Sequence, residues 1–126
     1  MTQSGELLRR VPYFSGLDED VLRAMEGMAV ERTFDKGELL FMEGGDCPGL
    51  YVTESGLVRI FKTSPEGKEQ VLMVARPGDS FNEVPVFDGG PNPANAEAME
   101  RTAVYILPKH DLVEMVRHRP DMALRL

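Results

Sequence analysis

Two hydrophobic periods divide the chain into segments. Residues 3–10 suggest a short helix, and residues 18–27 place apolar side chains at the three- and four-residue spacing of a helix face. That spacing returns over 109–126. Between these segments, over 29–107, apolar residues alternate with polar ones or occur in short runs, as they do in β-strands. The pattern predicts a β-rich body over 29–107, with helices before it, after it and briefly near 83–87.

Glycines recur at a fixed interval through this body. The spacing is eleven residues, held by Gly45, Gly56, Gly67, Gly78 and Gly89. The residues between these glycines share no motif, which argues against a solenoid of repeats. The spacing instead indicates the strand–turn modules of an all-β sandwich or barrel.

The composition is that of a globular chain with one domain. Its 126 residues are 42% hydrophobic and 28% charged, which allows one sizeable core. No apolar run approaches the length of a membrane span, and no basic-then-apolar start suggests a signal peptide. We therefore expect a cytoplasmic protein with no membrane partner.

The charge argues against direct binding to nucleic acid. The net charge is −7, and the fourteen Lys and Arg residues are scattered rather than clustered. Duplex binding requires a basic surface that displaces counterions from the phosphates. If the parent protein acts on DNA, the part that reads DNA lies outside these residues.

Few residues in the chain could carry catalysis or hold a metal. Cys47 is the only cysteine, so an internal disulfide and a four-cysteine metal site are excluded. His110 and His118 both fall in the C-terminal helical segment, whereas a metal-dependent cupin needs histidines on its strands. No nucleophile–base or metal constellation is present, and we expect no enzyme activity.

One stretch organises the rest of the chain. Residues 76–98 read R-P-G-D-S-F-N-E-V-P-V-F-D-G-G-P-N-P-A-N-A-E-A. This stretch resembles the phosphate-binding cassette of cyclic-nucleotide-binding domains in the CRP/FNR regulator family, and we call it the cassette. The family pattern is F-G-E-hydrophobic-small-hydrophobic, a loop, then P-R-(S/T)-A-x-V-x-A. The matching residues are Phe81, Glu83, Val84, Val86, Phe87, Pro91, Ala94, Ala96 and Ala98.

The resemblance extends to both ends of the chain. The early phrase L-x-x-V-P-Y-F-S-G-L-D and the final H-R-P-D-M-A-L-R-L are also similar to this family's sensor domains. The resemblance implies a mainly β fold, a double-stranded β-helix (jelly-roll barrel) with flanking N- and C-terminal helices. It further implies that residues 1–126 form one effector domain, with the barrel over 29–107 and the start of a truncated dimerisation helix within 109–126.

The cassette departs from the family at the phosphate-binding positions. Asn82 stands in place of the glycine, Asn92 in place of the arginine and Pro93 in place of the Ser/Thr. Asn92 is neutral, and Pro93 offers neither a hydroxyl nor an N–H. Pro85 removes a further backbone donor at the start of the short helix. We therefore expect cyclic nucleotides not to bind, although Asn82 tolerates the positive φ of the turn.

The resemblance implies an effector site in the barrel beneath the cassette. The candidate residues are Ile60, Leu72 and Val74 from the strands, and Phe81, Asn82, Glu83, Val84, Asn92, Pro93, Ala94 and Asn95 from the cassette. In the family, the acid at the position of Glu83 accepts a hydrogen bond from a ribose hydroxyl. The alternative is a carboxylate that caps the short helix.

Other groups could in principle serve the site. Arg59, Arg76 and Arg101 could replace the missing cation, but alternation along its strand turns Arg59 away from Ile60, and we read all three as solvated. Haem ligation by His110, His118 or Cys47 stays open, since some regulators of this family sense gases through haem.

The resemblance implies a transcription regulator with partners beyond this domain. A small-molecule effector would shift the cassette against the dimerisation helix and so reorient a helix-turn-helix domain that binds DNA, absent from residues 1–126. The full-length protein would be a homodimer. The alternative is a stand-alone small-molecule-binding or interaction module without a DNA role.

Overall fold

Eight strands form two antiparallel sheets in the part of the chain that the computed structural model describes, residues 7–9, 11–14 and 16–118. The strands are β1 (Val30–Phe34), β2 (Leu39–Phe41), β3 (Gly49–Ser55), β4 (Val58–Thr63), β5 (Glu69–Ala75), β6 (Ser80–Phe81), β7 (Asn95–Ala98) and β8 (Thr102–Pro108). The helices are a 3-10 turn (Pro12–Phe14), α1 (Glu19–Met28), α2 (Glu83–Asp88) and α3 (Lys109–His118).

The strand order is that of two four-stranded layers. One sheet runs β1-β8-β3-β6 and the other β2-β7-β4-β5, with antiparallel pairing throughout. This confirms the mainly β fold predicted over 29–107, with a short helix in the cassette. A helix was predicted over residues 3–10. The structure describes residues 7–9 of this segment, and they are helical. The segment 119–126 lies outside the described residues.

The central strand β3 is buried on both faces, which explains its uninterrupted apolar run. Leu50 and Val52 pack with side chains of the flanking helices, whereas Tyr51 packs between the two sheets. The apolar core therefore has two parts that share this strand. The outer part joins α1 and α3 to the first sheet, and the inner part fills the space beneath the cassette.

The regularly spaced glycines lie at turns that need a left-handed backbone. Gly56, Gly67, Gly78 and Gly89 all have φ between 79° and 92°. At the first position of the series the left-handed residue is Gly44 rather than Gly45. Gly56 carries a second constraint, because a Cβ there would overlap the Thr102 hydroxyl and lie 2.6 Å from the Arg101 carbonyl oxygen.

Gly56→Ala should therefore destabilise the domain more than Gly67→Ala. Both substitutions force alanine into the left-handed region, at about 1–2 kcal/mol. At Gly67 no atom lies within 4 Å of the added methyl group, whereas at Gly56 the backbone of β8 must also move. Urea unfolding of both variants measures the difference. Equal losses of stability would contradict the close approach at Gly56.

Candidate functional site

A small cavity lies between α2 of the cassette and the second sheet. Its volume is about 160 Å³, below the roughly 300–1,000 Å³ of ordinary ligand pockets. It is lined by Phe41, Ile60, Met73, Phe81, Asn82, Glu83, Val84, Pro85, Pro93 and Ala94. The cassette thus provides most of the wall, and strands β2, β4 and β5 provide the rest.

Seven of the residues predicted from the sequence line this cavity. They are Ile60, Phe81, Asn82, Glu83, Val84, Pro93 and Ala94. Phe41, Met73 and Pro85 also line it and were not among the predicted site residues. Aromatic and proline side chains on short elements carry no sequence signal that separates a cavity wall from a core.

Leu72 and Val74, both predicted as site residues, lie outside this lining. Ile60 pairs with Met73 and Phe61 with Val71, so Leu72 is an extra residue in the ladder and is 51% exposed. Val74 pairs with Arg59, on the side of the strand opposite to Ile60. Met73, which pairs with Ile60, lines the cavity in place of the predicted Leu72 and Val74.

Asn92 faces the loop between β2 and β3, residues 42–48, and not the cavity. It is only 2% exposed. Its side-chain amide donates to the carbonyl oxygens of Met42 and Asp46, both at 3.1 Å. Its backbone N–H donates to the Gly45 carbonyl at 2.9 Å, and its carbonyl accepts from the Gly44 N–H at 2.9 Å. Asn92 therefore fastens the cassette to this loop with both backbone and side chain.

Asn82 extends the same network. Its φ of 69° places it in the left-handed region, as the sequence predicted for the turn, and it directly precedes α2. Its side-chain amide donates to Asn92 Oδ1 at 3.1 Å and to the Gly49 carbonyl at 3.4 Å. Asn95 adds a separate tie, since its Oδ1 accepts from the Glu43 N–H at 2.8 Å. The predicted site residues Asn92 and Asn95 thus bond to the loop.

Glu83 is the charged residue of the cavity wall. It is partly buried, and its carboxylate makes no hydrogen bond or ion pair with the described part of the chain. The residue at the start of α2 is Asn82, and no side chain caps this helix. The capping role considered from the sequence is therefore not what the structure shows for Glu83.

Three aromatic rings in mutual contact form the floor beneath the cassette, with Tyr51 stacked on Phe81 and Phe41 tilted against both. The ring centroids of Tyr51 and Phe81 are 5.1 Å apart, and those of Tyr51 and Phe41 are 5.2 Å apart. Burial raises the pKa of Tyr51 to about 12, so its phenol is neutral at physiological pH. Phe41 and Phe81 expose their other sides to the cavity. The floor is consequently apolar and uncharged.

No Lys or Arg lines the cavity in the described residues. Arg59 projects from β4 to the other side, where its guanidinium contacts Glu69 at 2.7 Å, Glu97 at 2.5 Å and the Phe61 ring at 3.9 Å. Hydrogen bonds to Glu69 and then to Glu97 raise the pKa of Arg59. Arg101 pairs with Asp35 at the surface. Arg59 and Arg101 are thus directed to carboxylates outside the cavity.

The residues considered for haem or metal binding are dispersed. His110 and His118 are exposed on α3, while Cys47 is buried, and burial raises the pKa of its thiol. Among the described residues, no three His, Cys, Asp or Glu side chains are grouped to hold a metal ion. Over the same ranges, each helix is too short or too polar to cross a membrane.

Comparison with known proteins assigns the family. Residues 31–119 match the family model of the cyclic nucleotide-binding domain. The chain belongs to this family. The matched range includes the whole cassette, residues 76–98.

Full-length relatives extend well beyond the domain. A CRP-like cAMP-activated global transcriptional regulator of Mycobacterium tuberculosis is 28% identical over 121 residues, which cover 96% of this chain and 54% of the relative. The cyclic AMP receptor protein of Thermus thermophilus is 31% identical over 115 residues, 91% of this chain and 53% of that protein. The domain thus spans about half the length of these relatives.

A solved structure of comparable extent supports the fold. The N-terminal domain of a transcriptional regulator from Streptomyces coelicolor superposes with a TM-score of 0.82 at 34% identity, covering 95% of this chain and 84% of that chain. These three similar proteins are regulators rather than enzymes. The chain is a domain of the cyclic nucleotide-binding family and is homologous to CRP/FNR regulators.

Asn92→Ala should destabilise this domain by about 2 kcal/mol, because it strands the Asp46 carbonyl and removes one of the bonds to the Met42 carbonyl. Asn92→Asp should cost more at neutral pH, since a carboxylate would face those two carbonyl oxygens. Thermal and urea unfolding measure both changes.

Asn95→Ala is the matched control for this prediction. It removes the same side chain from the same cassette, but the freed Glu43 N–H lies on an exposed loop residue that water can reach. We expect a loss of about 0.5 kcal/mol. If Asn92→Ala costs no more than Asn95→Ala, Asn92 does not fasten the loop.

Proposed function

We propose that this domain is the effector-sensing part of a CRP/FNR-like transcription regulator whose effector carries no phosphate. The proposal rests on two observations: the cassette keeps the family's fold around a cavity, but the described residues that line the cavity lack the groups that bind phosphate. Phe81, Glu83 and Ala94 surround a cavity in the cassette, yet no described Lys or Arg lines it. Asn92, at the position of the family's arginine, bonds to the 42–48 loop.

An anionic phosphate would find little in this cavity to neutralise it. Burying an unpaired ion costs several kcal/mol, and charge-assisted hydrogen bonds supply the compensation in ordinary phosphate sites. Pro85 and Pro93 carry no N–H, so the cavity wall also lacks two possible backbone donors. The negative charge of Glu83 would add repulsion. A neutral or positively charged ligand suits the site better.

Ligand binding in the cavity would change the packing of α3 by displacing α2. Val84 and Pro85 of α2 line the cavity, while Val86 on the same helix packs in the outer core with Leu112 of α3. A ligand that displaces α2 therefore changes the packing of α3. The proposed full-length protein is a homodimer with a DNA-binding domain. In it, the dimerisation helix that follows α3 would carry the signal to the DNA-binding domain.

Cyclic AMP and cyclic GMP should give no binding signal with the unmodified domain up to about 1 mM. The physical reason is the absence of a cation and of a hydroxyl in the cavity wall. Isothermal titration calorimetry at physiological salt is the measurement. Micromolar affinity for either nucleotide would contradict the proposal, because a cation would then have to reach the phosphate.

A paired substitution tests whether the two positions explain the loss. Asn92→Arg together with Pro93→Ser restores the two groups that the family uses, and we expect measurable cyclic AMP binding if the frame is otherwise intact. The arginine also removes the hydrogen bonds to the 42–48 loop, so stability must be measured alongside. A folded double variant without binding would show that Pro85 and the Gly89-Gly90-Pro91 turn have also reshaped the site.

A further inference from the structure

The cavity offers one ionisable group and little else that is polar. Among the described residues that line it, Glu83 is the only acid or base, and Asn82 is the only amide. The amide nitrogen of Asn82 already donates to Asn92 Oδ1 and to the Gly49 carbonyl. The strongest polar group free to meet a ligand is therefore a carboxylate, which only accepts hydrogen bonds.

The Glu83 carboxylate at the start of α2 is unpaired within the described residues, unlike two acids on the second sheet. Glu69 and Glu97 both bond to Arg59 on the opposite face. Glu83 has neither an ion pair nor a hydrogen bond there and sits beside apolar side chains such as Met73 and Val84. A carboxylate in this setting gains most from a ligand that brings a positive charge, because charge-assisted hydrogen bonds are about twice as strong as neutral ones.

The rest of the wall suits an apolar body. Phe41 and Phe81 supply aromatic rings, and Ile60 and Met73 supply aliphatic and thioether surface. Aromatic faces attract organic cations and pack against planar groups. The volume of about 160 Å³ limits the ligand to a small molecule. The net charge of −7 further raises the local concentration of cations and lowers that of anions.

From these features we infer that the cavity binds a small organic cation, a protonated amine with an aromatic or apolar body. The ammonium group bonds to the Glu83 carboxylate, and the body packs against Phe41 and Phe81. This inference rests on the proposed function, since it names the class of effector for the same site. It reverses the charge preference of a phosphate-binding cassette.

Three probes of nearly equal size separate the possibilities: phenethylamine, 2-phenylethanol and phenylacetate. Each is titrated into the domain labelled with nitrogen-15, and amide shifts of the cassette are followed by NMR. We expect phenethylamine to shift the amides of α2 and to bind at least about tenfold more tightly than 2-phenylethanol. Phenylacetate should leave these amides unchanged. Raising the salt concentration should weaken the amine alone.

Glu83→Gln tests the carboxylate directly, because it keeps the shape of the side chain and removes its charge. The affinity for phenethylamine should fall about tenfold, while that for 2-phenylethanol stays the same. Glu100→Gln is the control, since Glu100 is exposed, lies outside the cavity lining and carries the same formal charge. It should leave the binding of both probes unchanged.

Three outcomes would overturn the inference. Equal binding of amine and alcohol to the unmodified domain would show an apolar cavity without charge selection, and so would an unchanged amine affinity in Glu83→Gln. Failure of phenethylamine to shift the cassette at about 10 mM would also refute it. The proposed function fails separately, on micromolar binding of cyclic AMP, so the two results remain distinguishable.

Discussion

Asn92 holds the cassette against the 42–48 loop, and the geometry of the site depends on that attachment. Four hydrogen bonds between 2.9 and 3.1 Å join this one residue to the loop. Its Oδ1 accepts a fifth from Asn82, the left-handed residue directly before α2. The start of α2, the loop and the segment before β7 are thus fixed relative to one another. The cavity is the space left beneath them.

This attachment explains how the cassette keeps its shape without an arginine or a bound anion. A buried guanidinium with no anion opposite would carry an uncompensated charge, which costs several kcal/mol. An asparagine is neutral and short, and its amide donates to the Met42 carbonyl, which also accepts from the Gly45 N–H, and to the Asp46 carbonyl, which has no other partner in the described residues. The same position therefore serves the fold where the family's arginine serves the ligand. Pro93 fits the proposed function, because a ligand without phosphate does not require a backbone N–H or a hydroxyl at this position.

Much of the fold could be predicted from the sequence because its signals are local. The change of period near Ala29, the glycines at turns and the apolar run of β3 each follow from neighbouring residues, and the structure confirms them. The cassette was found by its order of residue types. The positive φ of Asn82 could be anticipated because asparagine adopts that conformation more readily than most residues.

The parts that escaped prediction are set by distant contacts. Val71 to Val74 are all apolar, so nothing in the sequence marks Leu72 as the extra residue of the ladder or shows that Met73 faces the cavity. The Asn92 side chain points to carbonyl groups some fifty residues earlier in the chain. The order of residue types does not predict a contact over that separation. Phe41 reaches the cavity only because β2 lies beside β7.

These long-range contacts also decide the electrostatic character of the site. Arg59 is close in sequence to Ile60 of the cavity wall, yet strand alternation and two carboxylates hold it on the other face. Glu83 is left facing apolar groups without a counterion among the described residues. Under the proposed function, a cavity whose neighbouring arginine points away and whose carboxylate remains would select against phosphate twice. The loss of the arginine and the isolation of Glu83 therefore act in the same direction, toward ligands that donate hydrogen bonds or carry positive charge.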